Sequence, residues 1–186
     1  MRVLVACEFS GVVRDAFIAR GYDAVSCDLL PSETPGPHLQ QDVTPLLAQR
    51  WDLVIAHPPC TYLANSGVRW LYSQPGRWEK LREARAFFLA CLSANAPKIA
   101  VENPVIHRHA KIRKPDFTVQ PWQFGHGETK RTCFWTKNLP ALEPTNVMKE
   151  RYPRVHRESP GPDRWKKRSV TYAGIASAMA EQWGFT

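Results

Sequence analysis

The 186-residue chain predicts an α/β fold: a mostly parallel, doubly wound sheet with helices on both faces. Three observations carry that expectation. Short apolar runs of strand length recur through the first hundred residues, segments at helical spacing separate them, and a carboxylate or a cysteine follows each run closely. Strands buried on both faces read as continuous apolar runs, as these do, whereas half-exposed strands alternate.

Taken in order, residues 2–7 (RVLVAC) form the first run. Residues 11–20 follow at helical spacing through Val13, Ala16 and Phe17, and Gly21 closes the segment. Residues 24–27 make the second strand, ending at Asp28. Three prolines and a glycine mark 31–37 as an irregular loop, and a brief extended piece around Leu39 leads to Asp42. Residues 52–56 (DLVIA) are a buried strand that His57-Pro58-Pro59-Cys60 must stop. Leu81, Ala84, Phe87, Phe88, Cys91 and Leu92 recur with a period near 3.6 and predict a long helix, and residues 98–102 are the fifth strand. Beyond it the pattern weakens into loops, with a hairpin expected through 132–135, until helical spacing returns over 170–183. One domain spans 1–186.

The composition is that of a globular chain, with 44% hydrophobic and 23% charged residues. No apolar run approaches the roughly 18 residues of a membrane span, the first residues lack the layout of a signal peptide, and a cytoplasmic protein is expected. Five cysteines without CxxC spacing or paired histidines predict free thiols and no metal site. The net charge of +8 is unevenly spread: residues 1–104 hold ten basic and ten acidic side chains, residues 105–186 fifteen and seven. A neutral half joined to a basic half suggests chemistry beside a surface for a polyanion, nucleic acid above all.

In an open parallel sheet, ligands sit beyond the carboxyl ends of the strands. Glu8, Asp28, Asp42, Cys60 and Glu102 are all expected there. Each has a plain alternative, since carboxylates after strands cap helices and a lone cysteine is commonly a small buried apolar residue. Cys60 is the sharpest candidate, because two prolines give it a rigid perch after a buried strand, as a nucleophilic thiol requires.

These residues resemble the ordered motifs of DNA cytosine-5 methyltransferases, in the very short form that phages often encode. The resemblance rests on His57-Pro58-Pro59-Cys60, then Val101-Glu102-Asn103-Pro104, then Lys130-Arg131-Thr132, with Cys7-Glu8-Phe9-Ser10-Gly11 upstream and Ser169-Val170 before the last helix. It implies a Rossmann-like S-adenosylmethionine-dependent fold and methyl transfer from S-adenosyl-L-methionine to carbon 5 of cytosine in DNA, in a bacterial host cytoplasm. Under it Cys60 adds to carbon 6, Glu102 anchors the base and donates a proton, and Arg131 helps hold the base. The cofactor would touch Glu8, Phe9, Ser10, Gly11, Asp28, Asp42, Pro58, Ser169 and Val170.

The family carries a large target-reading region before its closing motif, whereas here only residues 136–168 are available. That segment suits phosphate contacts, which position DNA without reading it. Lys130, Lys137, Arg151, Arg154, Lys166, Lys167 and Arg168 are the expected nucleic-acid contacts, with Trp122, Trp135, Tyr152 and Trp165 as either stacking or core aromatics. A short or relaxed target sequence follows, on single strands or on a duplex with a flipped cytosine, with an oligomer or an accessory partner as a possible source of specificity. Three other readings stand beside this one: an amino-group methyltransferase, whose Asp/Asn-Pro-Pro-aromatic signature His57-Pro58-Pro59-Cys60 resembles superficially; the same thiol chemistry on free pyrimidine nucleotides; and a catalytically silent DNA-binding homologue.

Overall fold

The computed structural model describes residues 1–184. Seven strands form one sheet: β1 (Arg2–Ala6), β2 (Asp23–Asp28), β3 (His38–Gln40), β4 (Leu53–Ala56), β5 (Lys98–Asn103), β6 (Phe117–Val119) and β7 (Thr132–Lys137). Their order is β3-β2-β1-β4-β5-β7-β6. The first five pair in parallel, but β7 lies antiparallel on β5 and β6 antiparallel on β7. The sheet is therefore largely parallel, and the all-parallel pattern stops at β5. The expected strand at 132–135 is real, but its partner is split between β5 and a distant β6 rather than a tight hairpin arm.

The helices are α1 (Val12–Ile18), α2 (Thr44–Leu47), α3 (Arg77–Leu92), α4 (Arg154–Arg157), α5 (Arg164–Ser169) and α6 (Ala173–Gln182). Strand alternation sorts the core into two layers. Val3, Val5, Ile55, Ala100 and Phe134 face α1 and α6, packing on Val13, Phe17, Ile175 and Met179. Leu4, Val54, Ile99, Val101 and Trp135 face the other way, onto Leu46 and Leu47 of α2 and Leu81, Phe88 and Cys91 of α3. Trp135 is thus core, edge-on to Phe88 with ring centroids 5.1 Å apart and its indole N–H donating to the Arg113 carbonyl at 2.7 Å. No helix among the described residues is long and apolar enough to cross a membrane.

This topology fixes where a ligand can bind. From β1 the chain winds outward to β2 and β3, and from β4 it winds the opposite way to β5, so strand order reverses between β1 and β4. The crevice opens at their carboxyl ends, where the His57 N–H donates to the Ala6 carbonyl at 2.9 Å.

The last helix covers the β7 side of that edge and is anchored at its first turn. His126 Nε2 accepts the Gly174 N–H at 3.0 Å, and the Tyr172 carbonyl receives the amides of Ile175 and Ala176, both at 3.0 Å. A methyl group on Gly174 would drive into the Phe124 carbonyl oxygen, which is backbone and cannot swing aside. Gly174→Ala is expected to destabilise the protein by about 1–3 kcal/mol or more through overpacking, seen as a lowered midpoint in urea unfolding.

Candidate active site

His57 and Glu102 follow β4 and end β5, and strand alternation turns both side chains to the face that carries α1 and α6. His57 Nδ1 and Glu102 Oε2 are 3.1 Å apart, with side-chain exposures of 10% and 14%. The carboxylate accepts this bond, which places the proton on Nδ1; the Nε2 atom is buried and has no hydrogen-bond partner. Burial alone would raise the Glu102 carboxyl. The His57 hydrogen bond and charge, together with the Lys130 ammonium, outweigh it and hold the group below the usual range.

Cys60 lies on the loop that β4 feeds, and it is the exposed one of the five free cysteines, the others being buried or half-buried. Two devices fix the loop. Asn103 Nδ2 donates to the buried Pro58 carbonyl at 2.7 Å, tying the turn to β5. The Cys60 carbonyl then accepts the amides of Leu63 and Ala64 at 3.0 and 2.8 Å, starting a tight turn. Although open to solvent on one side, the thiol is hemmed in by chain, and this raises its pKa. The Glu102 charge adds to the rise, while a backbone hydrogen bond and the cations of Lys130 and Arg168 oppose it.

Lys130 joins this cluster because β7 runs backwards. Glu102 pairs with Phe134 and Asn103 with Cys133, so the start of β7 lies at the carboxyl edge where β5 ends. Lys130, Thr132 and Phe134 then share one face with Glu102. Lys130 Nζ donates to the Val170 carbonyl at 3.2 Å, and burial lowers its pKa against the pull of Glu102 and Cys60. Arg131 points the other way by the same alternation; it is exposed, and its charge is felt by Cys133 rather than by Glu102 or Cys60. The structure therefore brings Cys60, Glu102, His57, Lys130 and Arg168 together and leaves Arg131 outside.

The expected cofactor residues line the neighbouring strand ends, but many serve the protein itself. Glu8 is 5% exposed and accepts the N–H groups of Val13 and Arg14 at 2.6 and 3.2 Å and the Ser10 hydroxyl at 3.3 Å. It fills the N-terminus of α1, and burial raises its carboxyl against the opposing effect of His57. Gly11 has φ +76°, and Thr34 packs where its side chain would be. Arg14 is fully buried and fastens the 31–37 loop there, donating to Ser26, Ser32, Thr34 and Pro35. Asp28 Oδ1 accepts the Leu30 N–H, and the exposed Asp42 accepts that of Thr44, both at 2.9 Å; hydrogen bonds from Thr44 lower the Asp42 carboxyl. Phe9 is covered by α5, with Trp165 edge-on at 6.0 Å and Lys166 Nζ at 5.4 Å. Ser169 donates to the Lys166 carbonyl at 2.8 Å.

Of the expected nucleic-acid contacts, Lys137 sits at the opposite end of β7, donating to the Ala96 carbonyl at 3.1 Å. Lys166 pairs with Glu33 at 2.7 Å, Lys167 with Glu158 at 3.1 Å and Arg154 with Glu128 at 3.0 Å. The Arg151 guanidinium lies 3.8 Å from the Trp122 ring centroid. Beside Glu102 and Lys130 the free space is about 10 Å³, room for about one water. It adjoins a hollow of about 200 Å³ lined by Lys130, Val155, Lys167, Arg168, Thr171 and Tyr172. No group of three or more possible metal ligands occurs among the described residues.

No protein-family model matches this chain, and no curated protein matches it either. Among solved structures it is similar to a protein described as a DNA modification methyltransferase encoded within an E. coli prophage, with 17% identity and a TM-score of 0.49 over 80% of this chain and 52% of that one. It is also similar to the Entamoeba histolytica methyltransferase EhMeth, with 12% identity and a TM-score of 0.46 over 87% of this chain and 60% of that one. The chain thus spans between about half and three fifths of the length of these two structures.

The charges around Cys60 set its titration. Because the thiolate is the reactive form, alkylation of Cys60 by iodoacetamide is expected to rise with pH along a limb displaced above the ordinary thiol range. Lys130→Gln removes a cation and should move the limb further up, whereas Glu102→Gln removes an anion and should move it down. Alkylation rates against pH, with peptide mapping to Cys60, check both signs.

Proposed function

We propose that this chain transfers a methyl group from S-adenosyl-L-methionine to carbon 5 of cytosine in DNA. The observation that carries the reading is the convergence of a solvent-accessible thiol, a half-buried carboxylate and a half-buried ammonium at one sheet edge. A pyrimidine ring needs those three groups: a nucleophile for carbon 6, an acceptor for the exocyclic amine, and positive charge to balance the density added to the ring.

The cofactor supplies an electrophilic methyl group. Asp28, with one oxygen already held by Leu30, keeps the other for a ribose hydroxyl, and Asp42 is open to the adenine amine. The donors at the start of α1 are taken by Glu8, so the methionine end must be held elsewhere along the crevice, with Phe9 and Pro58 as its apolar walls.

Cys60 loses its proton to solvent, and the sulfur adds to carbon 6 of cytosine as ring nitrogen 3 takes up a proton. Carbon 5 thereby becomes nucleophilic. Glu102 is held ionised, so the proton that reaches nitrogen 3 comes from solvent and passes through the Glu102 carboxyl, whose Oε2 accepts the His57 Nδ1 hydrogen bond throughout. His57 is thus a positioning residue behind the carboxylate, and Lys130 offsets the negative charge in front of it. After methyl transfer, the carbon 5 proton is lost to water as the carbon–sulfur bond breaks, which frees Cys60 as the thiolate, and nitrogen 3 returns its proton to solvent through Glu102.

DNA bearing 5-fluorocytosine tests the reading, because fluorine blocks that final elimination. With cofactor present, a covalent protein–DNA adduct through Cys60 is expected to accumulate, and Cys60→Ser should abolish it. Absence of any adduct with single-stranded and duplex substrates at low salt would overturn the proposal. His57→Gln keeps a donor for Glu102 but loses the rigid ring that fixes the carboxylate's position. It is expected to slow single-turnover methyl transfer about 100-fold while leaving DNA affinity unchanged in filter binding.

A further inference from the structure

A cluster of aromatic rings lies exposed beside the Cys60 loop. Tyr72 is 69% exposed, Trp78 41% and Trp70 37%. Tyr72, Trp78 and His109 meet edge to face, with centroids 5.6 to 5.9 Å apart, and the Tyr72 hydroxyl lies 3.1 Å from His109 Nε2. The Arg69 guanidinium sits 4.4 Å from the Trp70 ring. Rings left this open add little to the core, so folding does not explain their grouping.

Their position and charge point to a partner. The 61–78 segment is pinned to the nucleophile loop and to the chain after β5: Arg77 Nη2 donates to the Thr61 carbonyl at 3.0 Å and the Asn65 N–H to that of Val105 at 2.8 Å. Residues 53–78 and 103–115, which pack together here, hold six lysines and arginines and no aspartate or glutamate. Arg69, Arg108 and Lys111 are exposed on them. Arg113 is paired with Asp116, but open aromatic faces interleaved with the exposed cations of Arg69, Arg108 and Lys111 suit bases that are already unstacked and a phosphate backbone beside them. A duplex keeps its bases stacked inward and offers these rings nothing to stack on.

We infer that this face is a stacking platform for single-stranded DNA, holding the nucleotides next to the one presented to Cys60. The inference rests on the proposed DNA substrate and specifies its strand state. A fluorescein-labelled 12-nucleotide single strand and the same sequence as a duplex, without cofactor, test it by anisotropy on the full chain. The single strand is expected to bind the more tightly. The double substitution Tyr72→Ala and Trp78→Ala should weaken single-strand binding about tenfold or more with the salt dependence unchanged, because surface rings are removed and no charge is. Arg69→Gln with Arg108→Gln should instead reduce the slope of log affinity against log salt by about 0.7 per cation removed. Tighter duplex binding, or unaltered single-strand affinity in a doubly substituted protein of native circular dichroism, would overturn the platform. The 5-fluorocytosine adduct separates the two proposals: an adduct with no dependence on the rings leaves the chemistry and removes the platform, and ring-dependent binding with no adduct does the reverse.

Discussion

The antiparallel pairing of β7 on β5 is the constraint on which the candidate site depends. Glu102 is largely shielded from water at the end of β5, with 14% of its side chain exposed, and a carboxylate there is tolerable only if opposite charge or hydrogen bonds compensate for lost hydration. One compensating group, His57, comes from the adjacent parallel strand β4. The other, Lys130, comes from the residues that lead into β7, and only a strand running backwards delivers its start to the edge where β5 ends. Breaking a buried pair by removing one partner costs about 3–5 kcal/mol. The fold and the electrostatics of the site are therefore one problem: a β7 in the other direction would strand Glu102 and remove the cation that opposes the rise of the Cys60 thiol.

The opposite side of the crevice is built on self-sufficiency. A helix N-terminus beside a glycine is ordinarily an anion site, but Glu8 already accepts two of the α1 amides. Arg14, buried without exposure, spends its guanidinium on Ser26 and the 31–37 loop. Gly11 is needed for its positive φ and for the approach of Thr34, a contact within the protein. The other two strand-end carboxylates, Asp28 and Asp42, each accept one backbone N–H through Oδ1. A ligand in this crevice would be held by its hydroxyl and amine groups more than by its anionic end.

How much of this was legible follows from which signals are local. The parallel strands, α1, α3 and α6 announce themselves by apolar runs and helical spacing, and with them the placement of Cys60 and Glu102 at strand ends. The caps played by Glu8 and Asp42 were open as plain alternatives. The choice between Lys130 and Arg131 was not legible, because it turns on the register of β7 against β5, a pairing across about thirty residues of weak pattern. Had that register been known, alternation alone would have selected Lys130. His57 opens the motif that ends in Cys60 but has no role assigned from sequence; its position immediately after a buried strand, level with Glu102 on the next strand, is the signal that identifies it. The short helices α4 and α5 and the exposed rings near Tyr72 lie in stretches without periodicity, where pattern has nothing to register.

Charge shows the same limit in a different way. The surplus of cations lies in the second half of the sequence, yet much of it is matched locally once the chain folds. Arg154 faces Glu128, Lys166 faces Glu33, Lys167 faces Glu158, and Lys137 bonds a carbonyl at the far end of the sheet. Such half-exposed pairs add little stability, but they cancel field where a polyanion would feel it. Residues 53–78 and 103–115, across the boundary between the neutral and basic halves, hold no acidic residue of their own, and of their cations Arg113 alone is paired among the described residues, with Asp116. A tally by sequence segment places the positive surface in the basic tail. The contacts among the described residues leave exposed cations without an ion pair beside the loop that carries Cys60 as well, at Arg69, Arg108 and Lys111, where on the proposed reading a strand would lie for its base to reach the thiol.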